Sequence, residues 1–229
     1  MKHLHFKQLD STQIHLKNNY QDLIAEDKDL LITCDTQSEG IGRGQNTWTK
    51  RKNSISLSCT LVPNDCPSLT PLEVAVMCQQ FFLPQKIKFK WPNDLFNSNR
   101  EKVGGIICQL VSPEMVLVGV GINLGQAEPL ELKNSSYQPG VLFPQKEYSD
   151  GELVNLSKKM YQHFLKNRLN SSRVKEIWEN ECLHLNQKVK IDETEGYFRG
   201  IQNDGQALLE VSGVINKISS GNLSLLSFS

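Results

Sequence analysis

Apolar and polar side chains alternate at period two over residues 4–9 and 55–61, and again over 189–191, 197–199, 207–211 and 214–216. That is the pattern of strands with one buried face. Continuous apolar runs at 30–34, 103–108 and 115–124 also have strand length, and Gly104, Gly105, Gly119 and Gly121 interrupt the last two. Helical spacing follows three start signals. Asp10-Ser11-Thr12 supplies cap oxygens for a short helix to about residue 19. Thr70-Pro71-Leu72-Glu73 reads as a capping box with proline at the first helical position, opening a helix that ends before Pro84. Ser149-Asp150-Gly151-Glu152 is a second capping box, opening a helix through about residue 169, and another helix follows around Val174, Ile177 and Trp178. Residues 126–148 are polar, contain proline and read as a loop. From Leu185 onward, Asp204-Gly205 and Ser212-Gly213 punctuate short strands in the manner of a small β-barrel or meander. The prediction is an α+β chain with a boundary near 182–185.

Composition narrows the class. With 38% hydrophobic and 22% charged residues, the chain is an ordinary soluble globular protein. Lysine plus arginine and aspartate plus glutamate both number 25, so net charge advertises neither nucleic acid nor an acidic membrane. No apolar run has transmembrane length, and the N-terminus lacks a signal-peptide core. The six cysteines form no CxxC pair and several fall in apolar runs, which fits free thiols in a reducing cytoplasm. The five histidines show no ligand spacing, so no tightly bound metal is expected.

Two stretches carry candidate chemistry. Gly40-Ile41-Gly42-Arg43-Gly44-Gln45-Asn46-Thr47-Trp48 is dense in glycine, with a guanidinium inside it and a flat aromatic closing it. Backbone N–H groups, a cation and a ring suit an anionic ligand that itself carries a ring, such as a nucleotide or adenylate. It is neither a P-loop nor a dinucleotide fingerprint, and a solvated loop with incidental charge is the alternative. The second stretch, Ile87-Lys88-Phe89-Lys90-Trp91-Pro92-Asn93-Asp94-Leu95, is a strand entering a rigid turn. With Lys102 eight residues beyond Asp94, it reads as a hairpin that places a lysine and an aspartate near its two inner ends. Gly104 and Gly105 suggest close approach of a ligand to the backbone. Turn chemistry alone also accounts for Asn93 and Asp94, and helix capping alone for Ser11 and Thr12.

Taken together, these pieces resemble a biotin–protein ligase. The likeness rests on the glycine-rich loop with its lead-in Gln37-Ser38-Glu39, the intact string Lys90-Trp91-Pro92-Asn93-Asp94, Lys102-Val103-Gly104-Gly105-Ile106, Gly119-Val120-Gly121-Ile122-Asn123, and Asp10-Ser11-Thr12 with Gln13 where asparagine is usual. It implies a mixed-sheet catalytic domain of the class II aminoacyl-tRNA synthetase and biotin ligase type over 1–183, and a small SH3-like β-barrel over 184–229. It implies ATP-dependent activation of biotin to biotinyl-5′-AMP, then transfer to a lysine of a biotin carboxyl carrier domain. Lys102, Arg43 and Asp94 are then the catalytic candidates. Ser11, Thr12, Gln13, Gln37, Gly40, Ile41, Gly42, Arg43, Lys102 and Gly105 are candidates for biotin. Arg43, Gly44, Trp48, Lys90, Asn93, Lys102 and Asn123 are candidates for the nucleotide. Asp94 is also the candidate ligand for Mg²⁺ accompanying ATP.

Ile41 stands where the resemblance leads one to expect a first loop arginine, which removes one donor from the lid. Thr49-Lys50-Arg51-Lys52 replaces the usual Ser-Pro and Gly beyond it. No DNA-binding domain is expected ahead of Leu4, hence no DNA partner; no membrane partner is expected, and a monomer or weak homodimer is. A lipoate–protein ligase and a non-catalytic biotin-binding module are the rival readings.

Overall fold

The computed structural model describes residues 1–24, 27–126 and 137–226. In chain order the first half runs β1 (Lys2–Leu9), α1 (Thr12–Leu23), β2 (Leu30–Gln37), β3 (Ser54–Leu61), α2 (Thr70–Phe81), β4 (Lys88–Lys90), β5 (Asp94–Phe96), β6 (Lys102–Ser112) and β7 (Met115–Asn123). These seven strands form one sheet in the order β1-β2-β3-β7-β6-β5-β4. β1 and β2 are parallel, because α1 returns the chain from the end of one to the start of the other. Every other pairing in this sheet is antiparallel, so the sheet is mixed.

The two central strands, β3 and β7, are buried along their whole length. Their alternate residues serve opposite faces. Ile55, Leu57, Cys59 and Leu61 with Val116, Val118, Val120 and Ile122 build the main core. It is covered by α2 and by α3 (Asp150–Lys166), where Met160, Tyr161 and Phe164 are fully buried. On the other face Leu117 packs with Leu16 of α1, Leu30 and Ile32 in a smaller cluster. Beyond α1 that face carries Gly119, Gly121 and Asn123 of β7 and Ser56 and Ser58 of β3. The alternation over 55–61 predicted one buried face; both are covered, and the serine face borders the cavity described below.

Ser149 caps α3 in the predicted reciprocal box with Glu152. The box predicted at Thr70–Glu73 does not form. A 3-10 turn, Pro67–Leu69, leads directly into α2, whose N-cap position is Leu69 with no side-chain bond. Thr70 Oγ1 accepts from Asn64 N, and Glu73 is drawn inward to Arg168 instead (2.8 Å, Glu73 fully buried). The guanidinium of the half-buried Arg168 outcompetes a backbone N–H for that carboxylate.

After α4 (Ser171–Asn180), β8 (Lys188–Ile191), β9 (Thr194–Ile201), β10 (Ala207–Val211), β11 (Val214–Ile218) and β12 (Leu223–Leu225) form a second, antiparallel sheet in the order β11-β10-β9-β8-β12. Among the described residues it does not close into a barrel. It shares the main core: Val189, Phe198 and Leu209 belong to the same cluster as Trp91 and Trp178. Trp91 Nε1 donates to the Gly205 carbonyl between β9 and β10 (3.1 Å), and Leu183 N, ahead of β8, donates to the Phe89 carbonyl of β4 (2.9 Å). The six cysteines are free thiols. No helix among the described residues is long and apolar enough to cross a membrane. Of the loop predicted over 126–148, residues 127–136 lie outside the described residues; the rest runs without a named strand, and Pro139 bridges to Lys102.

Candidate functional site

A cavity of about 680 Å³ opens on the glycine-and-serine face of the sheet, within the usual size of small-molecule sites. Its floor is β7. Gly119, Gly121 and Asn123 point toward it at every second position, spanning roughly 13 Å at the rise of a strand.

At the Gly119 end the wall is polar and closed. Ser11 caps α1, receiving Ile14 N. Ser58 Oγ donates to Thr12 Oγ1 (3.0 Å), which donates to Gln37 Oε1 (3.0 Å), and Thr12 N donates to the same oxygen (2.8 Å). Gln13 reaches the Leu117 carbonyl through Nε2 (3.4 Å), while its buried Oε1 has no hydrogen-bond partner. A second buried acceptor without a partner, Asn123 Oδ1, lies at the other end of the floor; Asn123 Nδ2 is held by the Gly140 carbonyl (3.2 Å). A buried polar atom left without a partner costs free energy, and a ligand N–H removes that cost.

Charge collects alongside the middle. The turn Trp91-Pro92-Asn93 joins β4 to β5, pairing Lys90 with Asp94, and Asp94 lies across from Gly105, which lies across from Gly121. Asp94 Oδ1 accepts from Lys102 Nζ (2.6 Å) and Oδ2 from Lys90 Nζ (3.3 Å). Lys90 is almost wholly buried and stacks its ammonium over the Tyr137 ring (5.1 Å). Burial lowers the pKa of that ammonium; Asp94 opposes the shift, and Lys102 and Arg43 add to it. Asn93 borders the cavity, but its amide is engaged by the Ile106 carbonyl (2.8 Å), so its first task is to fix the turn. A Cβ at Gly105 would meet the Asn93 carbonyl and Asp94 Oδ1 only at ordinary contact distance (3.7 Å each), whereas one at Gly104 would strike the Gly121 carbonyl at 2.5 Å. The pair thus divides into one glycine for the cavity and one for strand packing.

The glycine-rich loop folds over this floor as a tight hairpin. Ile41 bridges Thr47, Gly42 N donates to the Asn46 carbonyl (2.7 Å), and Trp48 N donates to the Gly40 carbonyl (2.7 Å). The Trp48 indole lies flat on the strand at Gly121, where a Cβ would come within 2.4 Å of it, and donates to Ser56 Oγ (3.1 Å). Arg43 donates through Nη1 to the Gly221 carbonyl of the small sheet (2.6 Å).

Fourteen of the sixteen predicted site residues therefore border one cavity: Ser11, Thr12, Gln13, Gln37, Ile41, Gly42, Arg43, Trp48, Lys90, Asn93, Asp94, Lys102, Gly105 and Asn123. The exceptions are Gly40, buried behind the Trp48 carbonyl, and Gly44, exposed at the tip of the hairpin with φ +65°. Sequence reasoning did not single out Ser56, Ser58, Tyr137 or the segment Asn222–Ser224, all of which line it. The serines had a signal in their strict alternation along β3. The others had none, being far away in the chain. Both Asp94 oxygens are engaged by ammonium groups, and among the described residues no three histidine, cysteine or acidic side chains come together as a metal site. The arrangement does not fit Asp94 as a resident Mg²⁺ ligand.

Several solved structures with a similar fold are described as biotin protein ligases. The protein described as "Biotin protein ligase from Aquifex aeolicus in complex with biotin and ATP" aligns at a TM-score of 0.70 and 23% identity, over 97% of each chain. A Helicobacter pylori biotin acetyl coenzyme A carboxylase synthetase with bound biotinylated ATP aligns at 0.66 and 21%, over 94% of this chain and 99% of that one. At these identities the likeness is one of fold. The sequence profile of the Biotin/lipoate A/B protein ligase family matches residues 5–125, more than half of the chain, and the chain belongs to that family. Among curated relatives, the chloroplastic biotin–protein ligase 1 of Arabidopsis thaliana is 27% identical over 202 residues, 81% of this chain and 53% of its own length. The bifunctional ligase/repressor BirA of Escherichia coli (strain K12) is 28% identical over 162 residues, 62% of this chain and 47% of its own. The chain spans about half the length of these two relatives.

Proposed function

We propose that this chain is an ATP-dependent biotin–protein ligase, which activates biotin as biotinyl-5′-AMP and transfers it to a lysine of a biotin carboxyl carrier domain. The observation that carries this reading is the order of groups along β7. A buried acceptor, Gln13 Oε1, and the Ser58–Thr12–Gln37 relay stand at one end, lysines and Arg43 in the middle, and a second buried acceptor, Asn123 Oδ1, at the other. That order matches an extended ligand with a urea-like N–H head, an anionic centre and an amino-substituted base. The relatives' names agree with it.

In the first step a biotin carboxylate oxygen bonds to the α-phosphorus of ATP and pyrophosphate leaves. Two anions must meet, and Lys102 and Lys90, oriented by their shared Asp94, supply fixed positive charge there. Arg43 and the loop cover the mixed anhydride, Trp48 lies beside the nucleotide base, and the closed site keeps out water. In the second step the carrier lysine nitrogen bonds to the acyl carbon, the anhydride C–O bond breaks, the nitrogen loses a proton and AMP departs. Any Mg²⁺ required arrives on the nucleotide's phosphates rather than in a protein cage. We further assign 1–183 to catalysis and 184–229 to a small SH3-like domain, in a cytoplasmic protein acting as a monomer or weak homodimer.

Radiolabelled biotin, ATP and a carrier domain test this directly: covalent label appears on the carrier, and Lys102→Ala lowers ATP–pyrophosphate exchange by about a hundredfold. Absence of biotinyl-AMP at every magnesium concentration overturns it. Lipoate is the second substrate to try; the hydrogen-bonding end at Thr12 and Gln37 disfavours an apolar dithiolane, so it should label the carrier poorly.

A further inference from the structure

The small sheet reaches the site through one turn. Residues 219–222 connect β11 to β12, and Asn222, Leu223 and Ser224 border the cavity. At Gly221 the main-chain carbonyl receives the Arg43 guanidinium at 2.6 Å, although the two residues are 178 positions apart. That acceptor is a neutral peptide oxygen. It fixes one edge of a five-donor group without cancelling its charge, and the remaining N–H groups stay available to an anion beneath.

The turn is itself braced from the β8–β9 hairpin. Asp192 N donates to the Asn222 carbonyl (3.0 Å), and Asn222 N donates to Asp192 Oδ1 (2.9 Å). Asp192 sits at φ +49°, a left-handed conformation that aspartate and asparagine tolerate better than other side chains. Gly221 is pressed against the same hairpin, where a Cβ would lie 2.6 Å from Ile191 Cγ2. Asp192 does not border the cavity.

We propose that the 219–222 turn is a latch for the glycine-rich lid and that Asp192 is its positioning residue, holding Arg43 closed over the cavity from outside the site. The latch is a property of the fold. Its consequence for catalysis, retention of the acyl-adenylate, rests on the ligase reading above.

Limited trypsin digestion of the ligand-free full chain reads the latch without assuming any activity. Asp192→Ala should speed cleavage after Lys50 and Arg51 about fivefold, the population shift expected for one lost hydrogen bond. Asp192→Asn keeps both the acceptor and the left-handed tolerance and should restore the wild-type rate. In an Arg43→Ala background, where cleavage is already fast, Asp192→Ala should add nothing; a general loosening of the fold would add to it. Should Asp192→Ala fail to fold, Arg43→Ala alone must show the same acceleration. An unchanged rate in Asp192→Ala, or in Arg43→Ala, overturns the latch. Labelling of bystander lysines by escaped biotinyl-AMP is the second measurement, and it should rise in Asp192→Ala. If digestion behaves as stated while the wild type makes no biotinyl-AMP, the latch stands and the ligase reading falls.

Discussion

Trp48 and Gly121 form an exacting contact in the site, because the indole occupies the space in which any other residue would carry its Cβ. Gly121→Val should therefore lift Trp48 off the strand and break its bond to Ser56. Trp91 and Trp178 are buried in the core, so a red shift in tryptophan emission would report Trp48 alone. If the indole packs against the nucleotide base, ATP affinity should fall by about five- to hundredfold, the range for one aromatic–base stack; unchanged affinity would remove Trp48 from nucleotide binding. Such contacts were half legible. The sequence marks Trp48 and Gly121 as unusual, but nothing local says that they touch. Asp94 illustrates the same limit. The family resemblance made it a candidate for catalysis and for Mg²⁺; that two lysines from separate strands both reach it is visible only in the fold.

At the scale of elements, α2 is secured by a carboxylate rather than by a cap. Glu73 accepts from Arg168 Nε and Nη2, Leu169 N and Asn64 Nδ2, which pins the helix to the segment between α3 and α4. Removing this buried carboxylate leaves its four donors without their acceptor, so Glu73→Ala should cost about 3 kcal/mol in denaturant unfolding. A cost below about 1 kcal/mol would show that solvent replaces the carboxylate freely. The helix itself was predictable from its apolar spacing. Its start was not, because Thr-Pro-Leu-Glu satisfies the capping rule locally while Arg168, distant in sequence, claims the glutamate. For strands the outcome was reversed: Ile-Ser-Leu-Ser-Cys-Thr-Leu announced β3 clearly, and only the lid and α1 turned its polar face into a cavity wall.

For the molecule as a whole, the two sheets share one core, and His184 lies at their junction between Trp178 and Phe198. Burial, with a smaller push from Lys90, lowers its pKa from 6.5 to about 3, and its Nε2 has no hydrogen-bond partner. The folded protein thus holds a neutral imidazole while the unfolded chain takes up a proton below about 6.5. The resulting stability is full above that pH and is lost progressively as pH falls toward 3. Between pH 7.5 and 5 the loss is about 2 kcal/mol from this residue. His184→Phe should flatten the urea midpoint over that interval. His3, lowered to about 4 by its own burial, leaves a residual slope of the same sign. An unaltered pH dependence would mean that His184 is hydrated in the folded state.

Period-two alternation, capping residues and glycine punctuation act between neighbours, so the chain alone determined most strands and helices, the family resemblance and fourteen of the residues around the cavity. Tertiary structure decided which of those residues meet: that Asp94 bridges two lysines, that Gly104 serves packing and Gly105 the cavity, and that a carbonyl of the small sheet holds Arg43. Those contacts join positions tens to hundreds of residues apart. Their energies arise only when distant segments are brought together, and no local pattern records them.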